Sequence, residues 1–220
     1  MIVLKIITII VLAYLIGSIP YGLIFVKILK GHDIRNIESG RTGGTNAGRA
    51  AGIGAGVLTG VMDFFKSFIA VMIAKTIFPD QPWIEISAAL FAILGHNYSV
   101  FLLERQGPGK YTLRGGAGGA PCMGGSFAFY PLSLFIILPA TILVLFGIGY
   151  ASLATLSIAF LAIILFTVRA ITVGSSWAYV VYGILAELLL IVALIPNIKR
   201  LLSGNERLVG VRAWIKKRKS

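Results

Sequence analysis

Two glycine-rich loops that carry arginine and hydroxyl side chains are the segments best suited to chemistry on phosphate groups. The first loop, residues 31–52, contains the run SGRTGGTNAGR. Its glycines let the backbone turn N–H groups inward, and a helix starting near Thr45 would direct its positive N-terminal end at an anion. Side-chain donors complete this composition: Ser39, Arg41, Thr42, Thr45, Asn46 and Arg49. The loop therefore predicts a phosphate cradle, and the competing interpretation is a flexible Gly/Ser linker.

The second loop, residues 107–125, contains the run RGGAGGAP. Arg114 supplies a charge, and glycines without side chains suit close approach of the backbone to an anion. The glycines concerned are Gly115, Gly116, Gly118 and Gly119. Two phosphate-binding loops predict a site for one or two phosphates.

Two further polar residues lie at the ends of apolar runs. His96, in GHNYSVFL, is a candidate proton carrier, although a histidine at a helix end more often has a structural role. Asn197 opens NIKRLLSGNE and is placed to hydrogen-bond a substrate head group. Zinc-ligand spacing, a G-x-S-x-G turn and a Walker motif are all missing from the sequence. We therefore predict no metal and no cofactor.

The elements that position these loops are apolar runs of about 20 residues, each long enough to cross a bilayer. The 220-residue chain is 57% hydrophobic and only 13% charged, so we predict one integral membrane domain. The run at 2–26 is too long for a cleavable signal and is expected to be the first helix. The expected spans are 2–26, 55–78, 83–103, 132–147, 153–170 and 177–195.

Basic residues follow the first, third and last of these runs, and the positive-inside rule places those segments in the cytosol. Six spans would export the basic C-terminal tail if the N-terminus is outside. A seventh, short crossing at 117–131, packed inside the bundle, removes the conflict. We therefore expect an all-α membrane protein with about seven transmembrane helices, the N-terminus outside and the C-terminus cytosolic.

The net charge of +12 lies in these loops, where it suits anionic lipid heads better than nucleic acid. We expect membrane lipids as partners, no nucleic acid and no stable protein partner. Asp63 and Lys66 stand three residues apart in an apolar run, and we expect them to pair or to line the site.

Motifs along almost the whole chain resemble those of the bacterial acyl-phosphate:glycerol-3-phosphate acyltransferases of the PlsY type. GSIPYGLI (17–24), GHDIR (31–35) and SGRTGGTNAGR are similar to that family's opening motifs. DFFKS (63–67), GHNYSVFL, GYASLAT (149–155) and NIKRLLSGNE are similar to its later ones. The resemblance implies seven helices, a cytosolic site, and transfer of an acyl group from acyl-phosphate to the sn-1 hydroxyl of glycerol 3-phosphate. It also implies a bacterial plasma membrane and catalysis without a side-chain nucleophile.

Three of the departures from these motifs bear on the site. The motif KGGKGVAT reads RGGAGGAP here, so Ala117 replaces a phosphate-clamping lysine, and Lys110 or Arg114 is the expected substitute. Arg41 replaces an asparagine, and Leu194 replaces a histidine. Because the resemblance gives no basic residue at position 41, Arg49 is expected to matter more than Arg41.

The expected site has two parts within a membrane domain at 1–196 and a basic cytosolic tail at 197–220. Ser39, Arg49 and the backbone near Thr45 and Asn46 would hold one phosphate. The loop from Arg114 to Gly119 would hold the other, with His96 and Asn197 completing the catalytic set. Two other functions stay open: a non-catalytic lipid-phosphate-binding paralogue, and a small transporter.

Overall fold

The chain folds into a bundle of helices, described here from a computed structural model for residues 1–210 and 212–213. The helices are α1 (Ile2–Ser18), α2 (Tyr21–Lys30), α3 (Gly44–Ala51), α4 (Ile53–Ile77), α5 (Pro82–Asn97), α6 (Gly119–Phe129), α7 (Ser133–Ile148), α8 (Ala151–Val173) and α9 (Ala178–Leu202). Short 3-10 turns cover Ile34–Asn36 and Val100–Leu102, and two strands, β1 (Leu103–Gly107) and β2 (Lys110–Leu113), precede α6.

Within the described residues, five helical segments are long and apolar enough to cross a membrane: Ile2–Lys30, Ile53–Ile77, Pro82–Leu102, Ala151–Val173 and Ala178–Leu202. Helix α7 is apolar but shorter. Large apolar side chains face outward, with Phe135 72% and Leu143 74% exposed. An apolar surface of this extent requires lipid rather than water around the bundle.

The first apolar run forms one candidate span, Ile2–Lys30, as predicted, but it is broken into two helices and is not the single helix expected over 2–26. Pro20 has no N–H to donate, so α1 ends at Ser18 and α2 begins at Tyr21. The buried Ser99 hydroxyl donates to the Ser18 carbonyl at 2.5 Å, which satisfies a group freed by the break. The Tyr14 hydroxyl donates to the Tyr98 carbonyl at 2.8 Å, so the same region is tied to the end of α5.

The expectation of an all-α fold is wrong at residues 103–113, where β1 and β2 form an antiparallel hairpin. Leu103 pairs with Leu113 and Glu104 with Thr112. Gly109 has a φ of 71° and follows Pro108, so this Pro-Gly pair turns the chain between the strands. The hairpin places Glu104 and Arg114 at one end of the bundle.

Small residues let the central helix α5 approach α1 closely. Ala88, Ala89 and Ala92 are fully buried. A side chain at Gly17 would collide with the Ala92 backbone, and one at Gly95 with the Tyr14 backbone. The main core lies where α5, α6, α8 and α9 pack together, and its largest buried side chains include Phe166, Leu190 and Tyr182. The Tyr182 hydroxyl donates to the Cys122 carbonyl at 2.7 Å.

The polar connections gather at two opposite ends of the bundle. At one end, the loop after α2, the loop before α6 and the end of α9 meet. There the N–H of Val209 also donates to the carbonyl of Gly149, which follows α7. At the far end, the Lys75 ammonium donates to the Ala128 carbonyl at 2.7 Å and pairs with Glu85 at 3.6 Å. The short α6 therefore runs from the first end to the second.

Candidate active site

Backbone hydrogen bonds join the two glycine-rich loops at the first end of the bundle. The Thr42 N–H donates to the Gly115 carbonyl at 3.3 Å. The Arg41 guanidinium donates to the Gly116 carbonyl at 3.0 Å and also to the Ala193 carbonyl of α9. The loops predicted to bind phosphate and the last helix thus form one continuous surface.

This surface contains a cleft of about 370 Å³, which we call the basic cleft. It is lined by Ser39, Gly40, Arg41, Asn97, Tyr98, Thr112, Leu113, Arg114, Gly115, Gly116, Val192, Ala193, Pro196, Asn197 and Arg200. The predicted residues Ser39, Arg114 and Asn197 therefore meet, although 158 positions separate the first from the last. Val192 and Pro196 belong to an exposed stripe of α9, so one wall of the cleft reaches the outer apolar surface.

Two of the three arginines in the basic cleft are paired with glutamates. The Arg114 Nε lies 2.7 Å from a Glu104 carboxylate oxygen, and the Arg200 Nε lies 3.1 Å from Glu206. Glu104 also pairs with Arg35 at 2.7 Å. Arg35 in turn donates hydrogen bonds to Asp33, and these bonds lower the pKa of the Asp33 carboxyl below its usual value. Arg114 is thus positioned by the hairpin.

Arg41 differs from its two neighbours because only carbonyl oxygens receive its hydrogen bonds. Burial lowers the pKa of the Arg41 guanidinium, and the charge of the nearby Arg200 lowers it further. From the sequence, Arg41 was expected to matter less than Arg49, because the family motif has asparagine at that position. The position of Arg41 within the same loop as Ser39 was the available signal.

Two buried amide residues, Asn97 and Asn197, line the basic cleft. Asn97 is 4% and Asn197 is 9% exposed, and the Oδ1 atom of each is buried without a hydrogen-bond partner. The Nδ2 of Asn197 donates to Glu206 at 2.9 Å, and that of Asn97 to the Leu189 carbonyl at 3.3 Å. Unpaired buried acceptors are costly, so the Asn197 oxygen is suited to a ligand hydroxyl, whereas the Asn97 oxygen faces Gly118, which does not line the cleft.

The glycines of the second loop are needed for packing as well as for the cleft. A side chain at Gly115 would collide with the backbone of His96 and Asn97, and one at Gly116 with the His96 ring. The Gly116 N–H donates to the His96 carbonyl at 2.8 Å, so it is not free for an anion. Gly118 caps α6 with a φ of 88°, and Gly119 is the first residue of that helix. Of the four glycines, only Gly115 and Gly116 line the basic cleft.

His96 lies beneath the second loop and does not line the basic cleft. Its Nδ1 is 3.2 Å from the Lys66 ammonium and 3.5 Å from the Asp63 carboxylate. Lys66 and Asp63 form a buried ion pair at 2.7 Å, as their spacing predicted. Lys66 also stacks over the Tyr21 ring, 5.1 Å from its centroid. His96 is thus part of a buried polar cluster that supports the loop through Gly116.

Thr45 and Arg49 lie in a second, shallower depression of about 350 Å³. Its other lining residues are Gly48, Ile53, Leu208, Val209, Gly210 and Ala213. A single cradle formed by Ser39, Thr45 and Arg49 is therefore not observed, because Ser39 lies in the basic cleft. Between the two, Arg207 pairs with Glu38 at 3.0 Å. The predicted helix start is confirmed, since α3 begins at Gly44.

Asn46 was expected beside a bound phosphate, but its side-chain hydrogen bonds give it a structural role. Its side-chain nitrogen donates to the carbonyls of Ile37 and Arg41, at 3.0 and 2.9 Å. The amide thereby shapes the first loop from inside, and it lines neither the basic cleft nor the second depression.

Two other positions considered from the sequence lie away from the basic cleft. Leu194 is buried in the core, and Lys110 is exposed in the hairpin. In the described part of the chain, no group of three or more His, Cys, Asp or Glu residues is placed to hold a metal ion.

The chain is similar to known proteins over nearly its full length. A family model described as glycerol-3-phosphate acyltransferase matches residues 7–204. Glycerol-3-phosphate acyltransferase 2 of Moorella thermoacetica is 36% identical over 203 residues, covering 92% of this chain and 97% of that protein. The glycerol-3-phosphate acyltransferase of Aquifex aeolicus is 36% identical over 207 residues, covering 92% of this chain and 98% of that protein.

Two crystal structures of PlsY, an integral membrane glycerol 3-phosphate acyltransferase, share the fold. The glycerol 3-phosphate form aligns with a TM-score of 0.81 and 31% identity, over 96% of this chain and 98% of that one. The lysophosphatidic acid form aligns with a TM-score of 0.78 and 29% identity, over 95% and 97%. Agreement in sequence, length and membrane fold shows that this chain belongs to the glycerol-3-phosphate acyltransferase family.

Proposed function

We propose that this membrane acyltransferase of phospholipid synthesis takes its acyl group from an acyl-phosphate. It transfers that group to the sn-1 hydroxyl of glycerol 3-phosphate and forms lysophosphatidate. The observation that carries the proposal is the basic cleft, which combines arginine charge with the Ser39 hydroxyl and the unpaired oxygen of Asn197. Glycerol 3-phosphate offers the matching groups, one phosphate and two hydroxyls.

We place the acceptor in the basic cleft. Arginine binds phosphate oxygens through two parallel hydrogen bonds, and Arg114 reaches the cleft from the hairpin. The Ser39 hydroxyl is a further donor at the cleft wall. The Asn197 carbonyl oxygen would accept a hydrogen bond from a glycerol hydroxyl and so orient it. Asn197 and Arg200 thereby complete the cleft from α9, which continues to Leu202.

We place the donor phosphate near the second depression. Arg49 and Thr45 lie there beside apolar side chains such as Ile53 and Leu208. Such a lining suits a phosphate joined to a hydrocarbon tail. An anion there would also lie near the N-terminus of α3, where the helix dipole favours negative charge. The two phosphate sites expected from the two loops would thus be separate.

The reaction needs positioning more than a chemically reactive side chain. An acyl-phosphate is a mixed anhydride, so its carbonyl carbon is already activated. The acceptor oxygen attacks that carbon, the new ester bond forms, and the bond to the phosphate oxygen breaks. The hydroxyl proton passes to the departing phosphate. The chain contributes arginine charge and oriented hydrogen bonds, which stabilise the developing negative charge.

The proposal that His96 carries a proton has weaker support. Its Nδ1 faces Lys66 and Asp63, and its ring lies behind Gly116. We therefore propose that His96 acts as a positioning residue, which holds the second loop against α5.

We further propose seven crossings, with the N-terminus outside and both clefts on the cytoplasmic side of a bacterial plasma membrane. The loops alternate strictly between the two ends of the bundle when α1 and α2 are taken as one crossing and α6 as another. The contact of Lys75 with Ala128 supports this alternation, because it places the end of α6 beside the end of α4. The contact of Val209 with Gly149 brings the α7–α8 connection back to the cleft end.

A direct assay tests the function. Purified protein in detergent is supplied with acyl-phosphate and glycerol 3-phosphate, and lysophosphatidate is measured. We expect product, and we expect little product when acyl-coenzyme A replaces acyl-phosphate. Binding of glycerol 3-phosphate without turnover would instead favour the non-catalytic paralogue. Family membership disfavours both that alternative and a transporter.

A further inference from the structure

Arg41 is the arginine of the basic cleft whose charge has no protein counter-ion in the described part of the chain. Arg114 is paired with Glu104, and Arg200 with Glu206. Among residues 1–210 and 212–213, no carboxylate oxygen lies within 4.0 Å of the Arg41 guanidinium. The uncompensated positive charge of the basic cleft is therefore concentrated at Arg41.

The geometry of Arg41 leaves hydrogen-bond donors available to a ligand. A guanidinium has five N–H donors. Two of them bind the carbonyls of Gly116 and Ala193, one in the second loop and one in α9, which leaves three. Because both partners belong to packed backbone, the planar group is held in a fixed orientation before any anion arrives. Such preorganisation favours bidentate binding of phosphate.

A purely structural role for Arg41 explains these contacts less well. A neutral amide can join a loop to two carbonyls, whereas moving a full charge out of water is costly unless an anion compensates it. Burial is the main cause that lowers the pKa of Arg41, and the charge of Arg200 adds to it, while Tyr98 and Glu206 offset these effects only in part. An anionic ligand in the cleft would remove this penalty.

We propose that Arg41 is the main phosphate-binding cation of the acceptor site, and that it takes over the role of a lysine at position 117. This inference rests on the proposed function. Ala117 directly follows Gly116, whose carbonyl Arg41 binds, so a lysine at position 117 would start one residue from a contact of the Arg41 guanidinium. The two departures from the family motifs, Arg41 and Ala117, then represent one relocation of positive charge from the second loop to the first.

A charge-relocation experiment tests this inference with the full-length protein in detergent. Binding of glycerol 3-phosphate is measured by calorimetry without acyl donor, and turnover is measured separately. We expect Arg41→Asn to weaken binding by about 10- to 100-fold. Arg41→Asn combined with Ala117→Lys should regain binding to within about tenfold of the parent chain. The exposed hairpin residue Arg105 provides a matched control, and Arg105→Asn should bind as the parent does.

The outcomes separate this inference from the proposed function. If Arg41→Asn binds and turns over glycerol 3-phosphate normally, the inference is wrong while the function stands. If the double variant folds but does not regain binding, the relocation is wrong. A third outcome is that the parent chain binds glycerol 3-phosphate but makes no lysophosphatidate, and that Arg41→Asn loses this binding. That outcome would support the inference and refute the proposed function. Arg41→Gln keeps an amide donor for the Gly116 carbonyl, and it replaces Arg41→Asn in the test if that variant does not fold.

Discussion

Gly116 occupies a position where no side chain fits, because the His96 ring lies directly against its Cα. The ring is in turn held by Lys66 and Asp63, a charged pair that is almost fully buried. Buried charges that lose a partner are strongly destabilising, so this cluster is rigid. Rigidity beneath the loop fixes the backbone that carries Arg114, Gly115 and Gly116 into the basic cleft.

Gly116→Ala should therefore destabilise the protein and reduce acyl transfer. We expect a loss of about 1–3 kcal/mol in stability, as in other overpacked sites. Thermal unfolding in detergent measures it, and Gly54→Ala is the control, since a side chain there meets open space. His96→Ala alone should also destabilise the protein, because Lys66 and Asp63 lose a buried partner. Adding Gly116→Ala to His96→Ala should cost little further stability, because the ring that blocks the side chain is gone. A His96→Ala variant that stays folded but is inactive would indicate that His96 itself acts in catalysis.

Substitutions of Arg49 test the proposed binding site for the acyl-phosphate donor. Its guanidinium can bind a phosphate with two hydrogen bonds, a geometry that the lysine ammonium lacks. Arg49→Lys should keep the charge and lower the rate about ten- to a hundredfold at saturating lipid, and Arg49→Ala should lower it more. Folding should change little, because Arg49 is exposed. Full activity of Arg49→Ala would remove the second depression from the mechanism.

The β1–β2 hairpin is the element that connects the two loops electrostatically. Glu104 binds Arg35 from the first loop and Arg114 from the second, each at 2.7 Å. Both arginines are partly exposed, so each pair contributes about 0.2–1 kcal/mol. The hairpin thus acts mainly on the direction of Arg114 rather than on overall stability.

Glu104→Ala should raise the KM for glycerol 3-phosphate about two- to fivefold and leave kcat nearly unchanged. The effect should vanish in a chain that already carries Arg114→Ala, and steady-state kinetics on the two single variants and the double variant measure this coupling. Lys110→Ala serves as the control because Lys110 is exposed and does not line the cleft. Additive effects of Glu104→Ala and Arg114→Ala would contradict a positioning role.

At the scale of the whole molecule, the positions of the helices follow closely from the apolar runs, because lipid demands long apolar helices. Pro20 can be seen within the first apolar run. Hydrophobicity alone, however, does not show that the Ser18 carbonyl freed by a break there accepts a hydrogen bond from Ser99. The hairpin was missed because its strands are short and polar. The pairing of Arg114 and Arg200 with glutamates depends on tertiary contacts, so the sequence did not single out Arg41.

Cysteine labelling tests the proposed orientation. The native Cys122 is fully buried, so an introduced cysteine is the accessible one. A cysteine at Asn205 should react with a membrane-impermeant reagent only after cells are opened, and one at Gln81 should react in intact cells. The same result as for Asn205 is expected at Lys217, which lies outside the described residues. Labelling at Asn205 in intact cells would contradict a cytoplasmic site.

The exposed stripe of α9 beside the basic cleft affects how the product leaves. Val192 is 51% exposed and also lines the basic cleft, so the basic cleft opens sideways onto the lipid-facing surface of α9. At the proposed site, lysophosphatidate would keep its tail in the bilayer while its head group leaves the arginines, without passing through water as a free monomer. A lipid donor would likewise reach the enzyme from the bilayer, so its binding would depend on its surface density and not on its bulk concentration. Diluting the acyl donor with inert lipid at constant bulk concentration should therefore slow the enzyme.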